Sequence, residues 1–392
     1  MRFWQFWEIF LRELRSLFRG RVPLACLLIG TPLGFTLLFG VIYGANIVND
    51  IPLIIYDEDQ SALSRKVIQA YADADRFVVT EYVQSEEEMR AALLHNHGKA
   101  ALEIPRDFAK DVKQGRSAEA MLIVNSANNM FGNATIAASQ EIARSLEVSV
   151  ATSLLESGGL LPTAALTNAY PVRLGVRITG DPANGYAAFM LGGLMLNGLQ
   201  IGIMVTLAPL LITELLRPRY DRRYPSWLFM LAGILPYALV AFLGYLIALL
   251  ACIHLFYVPM HGSWLTACVL GGAFIAFVCC VLLVFSACVP SRELSLQAPM
   301  LYIMPGLLYS GLSWPAFDMS TFAAAFGSLL PMTYAGDALR DIMLSGYAPD
   351  LARNVTIMLA AAVGCFLVAW GIFHWRRLRG FRHTAAQEEV AP

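Results

Sequence analysis

Residues 301–347 read LYIMPGLLYSGLSWPAFDMSTFAAAFGSLLPMTYAGDALRDIMLSGY. An apolar segment breaks at Trp314-Pro315, resumes as a short, mostly apolar helix pattern and breaks again at Pro331. An amphipathic turn carrying Asp337, Arg340 and Asp341 follows. Proline withdraws a backbone donor and clashes with the preceding turn, so each break frees carbonyl groups. Interrupted backbone at membrane depth is tolerated only where protein buries it or a wet cavity takes its polar groups. A helix that stops and dips back belongs to a channel, a transporter or another multi-helix membrane machine. A soluble enzyme is excluded.

Composition agrees. Apolar residues make up 57% of the chain and charged residues 15%, with a mean hydropathy of +0.57, far from a soluble average. The charges are unevenly spread: Lys66, Lys99, Lys110 and Lys113 all fall between 45 and 184, with most of the acidic residues. The chain therefore divides into a hydrophobic part and one water-soluble insert, and the net charge of −1 says little about either.

About 20 apolar residues cross a hydrocarbon core of roughly 30 Å. Six segments qualify: 22–44, 186–212, 227–256, 264–289, 296–314 and 353–374, none with an ionisable Asp, Glu, Lys or Arg in its central portion. The first is too long for the apolar region of a signal peptide and lacks a small-residue cleavage site, so it reads as a retained anchor. Arginines set the orientation. Arg2, Arg12, Arg15, Arg19 and Arg21 precede the first span, Arg217, Arg219, Arg222 and Arg223 follow the second, and Arg376, Arg377, Arg379 and Arg382 follow the last. The short loop 257–263 has no Lys or Arg. The positive-inside rule puts both termini in the cytoplasm and the insert outside.

The expected layout is a polytopic α-helical membrane protein with six transmembrane helices, re-entrant helices before the last span and one extracytoplasmic mixed α/β domain. Residues 1–21 read as a cytoplasmic interfacial amphipathic helix, with Phe3, Trp4, Phe6, Trp7 and Phe10 on one side and arginines on the other. The first span is 22–44 and the outside α/β domain 45–184. A five-helix domain occupies 185–375, with a basic cytoplasmic loop at 213–226 and a re-entrant segment at 315–340. A basic tail, 376–392, closes the chain. Gly30 and Gly34, Gly40 and Gly44, and Gly198 and Gly202 are spaced for close helix contacts. Asn197, Gln200 and Gln297 are polar exceptions within apolar spans, expected to serve helix packing or the translocation path. All seven cysteines lie in or beside the spans without a CxxC pair, which reads as small hydrophobes, not a metal or redox motif.

Within the insert, Pro52–Tyr56, Phe77–Val83, Lys99–Ile104 and Met121–Val124 read as strands, with helix patterns after Ser61, Ser85 and Pro105. Ser85 with Glu88 forms a capping-box pattern. A long helix is expected over 133–157, then a strand alternating Val172, Leu174, Val176 and Ile178. Asp57-Glu58-Asp59 and His95-Asn96-His97 lack further ligands at useful spacing, so no metal site and no catalytic constellation is expected. The insert reads as a binding or docking module.

Three motifs carry a resemblance. Ile51-Pro52-Leu53-Ile54-Ile55-Tyr56-Asp57-Glu58-Asp59-Gln60-Ser61 is similar to the opening of the periplasmic domain in ATP-binding-cassette type 2 exporter permeases of the type V fold. Tyr309-Ser310-Gly311 to Trp314-Pro315 resembles that family's break. Leu330-Pro331-Met332-Thr333-Tyr334 with Ala338-Leu339-Arg340 and Gly346 resembles the element after it. The likeness covers nearly the whole chain and is nearest to the bacterial subgroup with a large periplasmic domain between the first two spans.

The resemblance implies a transmembrane permease subunit that moves amphipathic or lipid-like cargo (a drug, a lipid or a glycolipid) outward across the bacterial inner membrane. It implies two ATPase subunits carrying ATP and Mg, and a second copy or a related permease. A periplasmic membrane-fusion adaptor with an outer-membrane channel, and the lipid bilayer, complete the partners; no nucleic acid is expected. This chain has no GxxxxGK[ST] phosphate loop, so no cofactor is expected on it and hydrolysis falls to another chain. Glu214, Arg217, Arg219, Arg222 and Arg223 stand where the family couples to its ATPase, although the family's Gly-Thr is missing and Pro218 and Pro225 intrude. Trp314, Pro315, Pro331, Tyr334, Asp337 and Arg340 are the expected re-entrant gate, with Arg340 pairing to hold the fifth and sixth spans together. The alternative is a membrane receptor or scaffold with an extracytoplasmic ligand-binding domain, which would want a larger cytoplasmic effector than the roughly twenty residues after the last span.

Overall fold

The computed structural model describes residues 2–19, 23–44, 48–126, 129–169, 185–216 and 224–388. Two compact units divide the chain, one of residues 1–46 with 178–392 and one of 47–177.

In the first unit the chain opens with α1 (Arg2–Leu17), whose buried residues Ile9, Phe10, Glu13 and Leu17 recur at helical spacing. Next comes α2 (Leu24–Ile42), apolar along its whole length with Pro32 inside it. Thr36 Oγ1 donates to the Pro32 carbonyl at 2.9 Å, and Thr31 Oγ1 to the Leu27 carbonyl at 2.8 Å.

The second unit is an α/β sheet domain: β1 (Ile51–Asp57), α3 (Ala62–Ala72), β2 (Phe77–Val83), α4 (Glu86–Leu94), β3 (Ala100–Ile104), α5 (Phe108–Lys113), β4 (Met121–Val124), α6 (Asn129–Ser157) and α7 (Pro162–Ala169). The sheet order is β2-β1-β3-β4, with β1 parallel to both neighbours and β4 antiparallel to β3. Central β1 is apolar on both faces because both are covered. Leu53 and Ile55 join the core with α3 and α6, and Ile54 and Tyr56 the core with α4. Full burial of each such Ile or Leu contributes about 1.5–3 kcal/mol. Thr80 is skipped between Leu53 opposite Val79 and Ile54 opposite Glu81, a bulge in β2.

The cap chemistry differs from expectation in one detail. Ser85 Oγ accepts from Glu88 N at 3.2 Å, but Glu88 reaches back one residue further, to Gln84 N at 2.8 Å. The reciprocal box forms at Ser61, whose hydroxyl accepts from Ser64 N while Ser64 Oγ accepts from Ser61 N at 3.0 Å. The acidic run is consumed by the same turn. Asp57 Oδ1 accepts from Asp59 N and Gln60 N, each at 3.0 Å, and its Oδ2 from Ser64 Oγ at 2.7 Å. Asp59 accepts from Ala109 N at 3.2 Å, and Glu58 accepts from the Tyr56 hydroxyl. The expected strand at 172–178 lies outside the described residues.

The first unit resumes with α8 (Tyr186–Leu207), α9 (Leu210–Leu216), α10 (Ser226–Leu255), α11 (Trp264–Cys288), α12 (Arg292–Ile303), α13 (Thr321–Gly327), α14 (Pro331–Ser345) and α15 (Leu351–Glu388). Among the described residues five helical stretches are long and apolar enough to cross a membrane: Leu24–Ile42, Tyr186–Leu216, Ser226–Leu255, Trp264–Cys288 and Leu351–Arg379. The expected fifth span at 296–314 is not among them. Its helix, α12, has 12 residues, a rise of about 18 Å. Pro299 removes a donor inside it, and Pro305 opens a 3₁₀ turn, Met304–Gly306, that replaces further α-helix. The break therefore falls about ten residues before Trp314-Pro315. Beyond it, a 3₁₀ turn (Ala316–Asp318), seven-residue α13 and 15-residue α14 fill the stretch read as re-entrant, and α14 runs on to Ser345.

Small residues set the closest packing. A Cβ on Gly198 would lie 2.8 Å from the Thr31 carbonyl oxygen, and one on Gly244 of α10 would lie 2.7 Å from that of Leu28. Helix α2 is thus seated between α8 and α10 at backbone contact. Gly40 accommodates the Phe256 ring, whereas Gly30 and Gly34 meet nothing within 4 Å, contrary to expectation. They lie on an α2 face that the other described residues leave open.

Candidate functional site

Candidate residues gather at the two ends of α8, whose 22 residues rise about 33 Å.

At its N-terminal end, α8 meets α14. Leu312, 1% exposed, is wedged between them. A Cβ on Gly193 would lie 2.6 Å from Leu312 Cδ1, and one on Gly336 would lie 2.4 Å from the same atom. Gly311, at φ +93°, makes the turn that directs this wedge, a conformation suited to glycine. Arg340 Nη2 stands 2.9 Å from Asp337 Oδ1 one turn back on α14. Its guanidinium carbon lies 4.7 Å from the centre of the Phe189 ring on α8, within cation–π range. Arg340 thus joins α14 to the second span, not the fifth span to the sixth as expected. The contact to Asp337 is an ion pair without hydrogen-bond alignment. Burial pushes the Asp337 carboxyl up, Arg340 pulls it back and Asp341 adds to the rise. The link from α14 to α15 is Asn354 Nδ2 donating to the Tyr334 carbonyl at 3.1 Å.

Tyr334 OH donates to the Ser328 carbonyl at 2.6 Å, and Thr333 Oγ1 to that of Gly327 at 2.6 Å, which bind the end of α13 to the start of α14. Pro331 supplies the first residue of α14, where a missing N–H costs nothing. Pro315 precedes the 3₁₀ turn, and exposed Trp314 donates from Nε1 to the Asp318 carbonyl at 3.4 Å.

Midway along α8, Gln200 Nε2 donates to Asn197 Oδ1 at 2.8 Å and to the Ile303 carbonyl at 3.4 Å. The two side chains tie α8 to the point where α12 stops. Gln297 is exposed on α12, apart from this pair.

At the other end, α8 leads through α9 to a cavity of about 240 Å³ lined by Glu13, Ser16, Thr206, Glu214, Tyr237 and Arg292, among others. Glu13 is 3% exposed and Glu214 6%. Glu214 is therefore drawn into the protein beside α1, where sequence reading expected it on the coupling surface. The start of α9 is capped from α11: Ser286 Oγ accepts from Leu211 N at 3.1 Å and Ile212 N at 3.3 Å. Arg217, Arg219, Arg222 and Arg223 lie outside the described residues. The chain after them is pinned at Tyr224, whose hydroxyl donates to Glu8 at 2.9 Å and whose carbonyl accepts from Arg377 Nη1 at 2.9 Å. Arg376 Nη1 donates to the Ala287 and Val289 carbonyls at 2.6 and 2.7 Å, closing the end of α11.

Phe189, Leu312, Glu13 and Tyr224 were not anticipated. Glu13 had a signal, a carboxylate between Ile9 and Leu17 on the apolar stripe of α1. Phe189 and Leu312 look in sequence like any other apolar residue.

A bundle of membrane-length helices, broken before its last and interrupted in sequence by a folded α/β unit after its first, is the layout of a polytopic membrane protein. The profile described as ABC-2 family transporter protein matches residues 24–370, and the chain belongs to that family. It is 24% identical over 362 residues, 90% of this chain and 93% of the relative, to the probable multidrug ABC transporter permease YbhR of Escherichia coli K12, and equally to that of Escherichia coli O157:H7. A shorter match, 36% identical over 101 residues, covers 26% of this chain and 14% of ABC transporter G family member 20 of Dictyostelium discoideum. No solved structure matches. The protein is an ABC-2 permease subunit, a transporter component and not the catalytic one, and membership implies an ATPase partner and a second permease copy.

Proposed function

We propose that this permease forms the membrane pathway of a bacterial inner-membrane exporter that moves amphipathic or lipid-like cargo outward, driven by ATP hydrolysis on two separate subunits. The observation that carries this reading is the end-to-end relationship to a multidrug-type permease. The spans agree in chemistry, because their centres carry no ionisable Asp, Glu, Lys or Arg for ion coupling. Both termini lie in the cytoplasm and residues 45–184 outside, with α12 and the turns after it making the fifth of six crossings. The segment 315–340 is the external gate. The basic loop that starts beyond Glu214 is the ATPase contact, and its push reaches the spans through the Glu13–Glu214 cavity. Two permease copies, alike or related, and a periplasmic adaptor complete the machine.

Co-expression of the permease with its ATPase in proteoliposomes tests this. Cationic amphiphiles are expected to be accumulated with ATP, and the purified permease alone to hydrolyse none. ATP turnover by the permease without a partner, or accumulation independent of the ATPase, would overturn the reading.

Topology has its own test. Lys66 and Lys113 are exposed on α3 and at the end of α5. Lys66→Cys and Lys113→Cys are expected to react with an impermeant maleimide in intact spheroplasts. Reaction only after lysis reverses the assigned sides.

A further inference from the structure

We propose that α1 carries a binding site for the headgroup of an anionic phospholipid of the cytoplasmic leaflet, made by Arg15 and Arg19. The inference rests on the reading that α1 lies at the inner membrane interface. Three features of its surface point to this ligand.

First, α1 presents three distinct faces. Ile9, Phe10, Glu13 and Leu17 are buried against the unit. Trp4, Trp7 and Leu11, with Phe18 just past the helix end, form an exposed apolar stripe; Trp4 is 79% exposed and Phe18 59%. At about 100° per residue, Arg12 and Arg15 occupy the arc between that stripe and the buried face, and Arg19 follows just past the helix. An apolar stripe against a guanidinium stripe matches a lipid, with its chains beside the aromatics and its phosphate beside the arginines.

Second, the arginines line one groove. Glu8, Leu11, Arg12, Arg15 and Arg19 line an open groove of about 330 Å³, room for a glycerol phosphate. Third, the charge is complementary to an anion. The one carboxylate in the groove, Glu8, accepts from Tyr224 OH at 2.9 Å, and the exposed guanidiniums of Arg15 and Arg19 outnumber it. Guanidinium forks match phosphate oxygens in pairs.

The site gives the permease a reason to depend on its membrane. Tyr224 follows the basic loop and is held by Glu8 of this groove, so a seated lipid fixes the end of α1 to which the loop is tied.

The test uses the full chain purified in neutral detergent with phosphatidylglycerol or phosphatidylcholine added, and reads lipid retained by native mass spectrometry. Arg15→Gln/Arg19→Gln alters two exposed side chains and spares Glu8 and Tyr224. Its phosphatidylglycerol retention is expected to fall on the order of tenfold or more, with phosphatidylcholine retention and the elution profile unchanged. Arg353→Gln, at the start of α15, is expected to change neither. Equal phosphatidylglycerol retention in wild type and the double variant overturns the site. So does a double variant that keeps the lipid and instead loses its ATPase subunit on co-purification, because the stripe then belongs to a protein partner. No transport or ATP is needed for the readout, so failure of the exporter reading would leave this result standing, and the reverse.

Discussion

Gly198→Leu is expected to abolish recovery of folded permease. A Cβ at this position would lie 2.8 Å from the Thr31 carbonyl oxygen and 2.9 Å from Phe35 Cβ. The first is backbone and the second the root of a side chain, so neither moves without moving α2. Helix α2 has little room to retreat, because on its other side a Cβ on Gly244 of α10 would lie 2.7 Å from the Leu28 carbonyl oxygen. Overpacking of this kind costs about 1–3 kcal/mol where neighbours can give, and more where they are backbone on two sides. Gly202→Ala is expected to be milder although its Cβ comes nearer, at 2.1 Å, since the atom met is the Thr31 hydroxyl. Gly30→Leu, which meets nothing within 4 Å, is expected to leave the thermal midpoint of the detergent-purified chain unchanged. Monodisperse, wild-type-like elution of Gly198→Leu would show that α2 and α8 do not pack as described.

This contrast marks where sequence stops informing. Gly30 and Gly34 repeat the spacing of Gly198 and Gly202, and only the second pair faces a helix of the same chain. Spacing reports that two glycines share a face, not what the face meets. The long apolar stretches were legible for a simpler reason, since crossing a bilayer needs length and apolarity, which a single chain displays openly. The segment 296–314 has the composition of a span, but Pro299, Pro305 and Gly306 govern its backbone, and α12 stops at Ile303. The strands of the α/β unit were legible because turns and apolar runs alternate cleanly there. Its cap at Ser61 was not, because the partner is Ser64, a residue that the usual pattern of Glu or Gln at that position passes over. The gate residues were found by their proline breaks, which are local, while the partner of Arg340 depends on a helix far away in sequence. Glu214 was read as a surface charge from its place beside a basic loop, yet its neighbours Leu211 and Ile212 on the same short helix are buried with it.

Arg340→Ala is expected to lower cargo export on the order of tenfold while leaving expression and ATPase co-purification intact. Arg340 makes two contacts that differ in what they join. The ion pair with Asp337 lies within α14 and stiffens it, whereas the stack on Phe189 joins α14 to α8. Helix α8 runs from that stack to the cavity of Glu13 and Glu214, so it touches both ends of the proposed coupling path. A half-buried cation–π contact is worth about 1 kcal/mol, and together with the ion pair to Asp337 that Arg340→Ala also removes it is enough to shift a two-state gate on the order of tenfold. Arg340→Lys keeps the charge beside Asp337 but not the flat guanidinium over the ring. Its export is expected to fall nearly as far as that of Arg340→Ala if the stack transmits the motion, and to stay near wild type if the ion pair within α14 is what matters. Phe189→Leu removes the ring and leaves Arg340 paired with Asp337, and is expected to match Arg340→Lys. Wild-type export in all three variants would remove Arg340 from the gate and leave the apolar packing of α8 on α14, with Leu312 between Gly193 and Gly336, to carry motion between them.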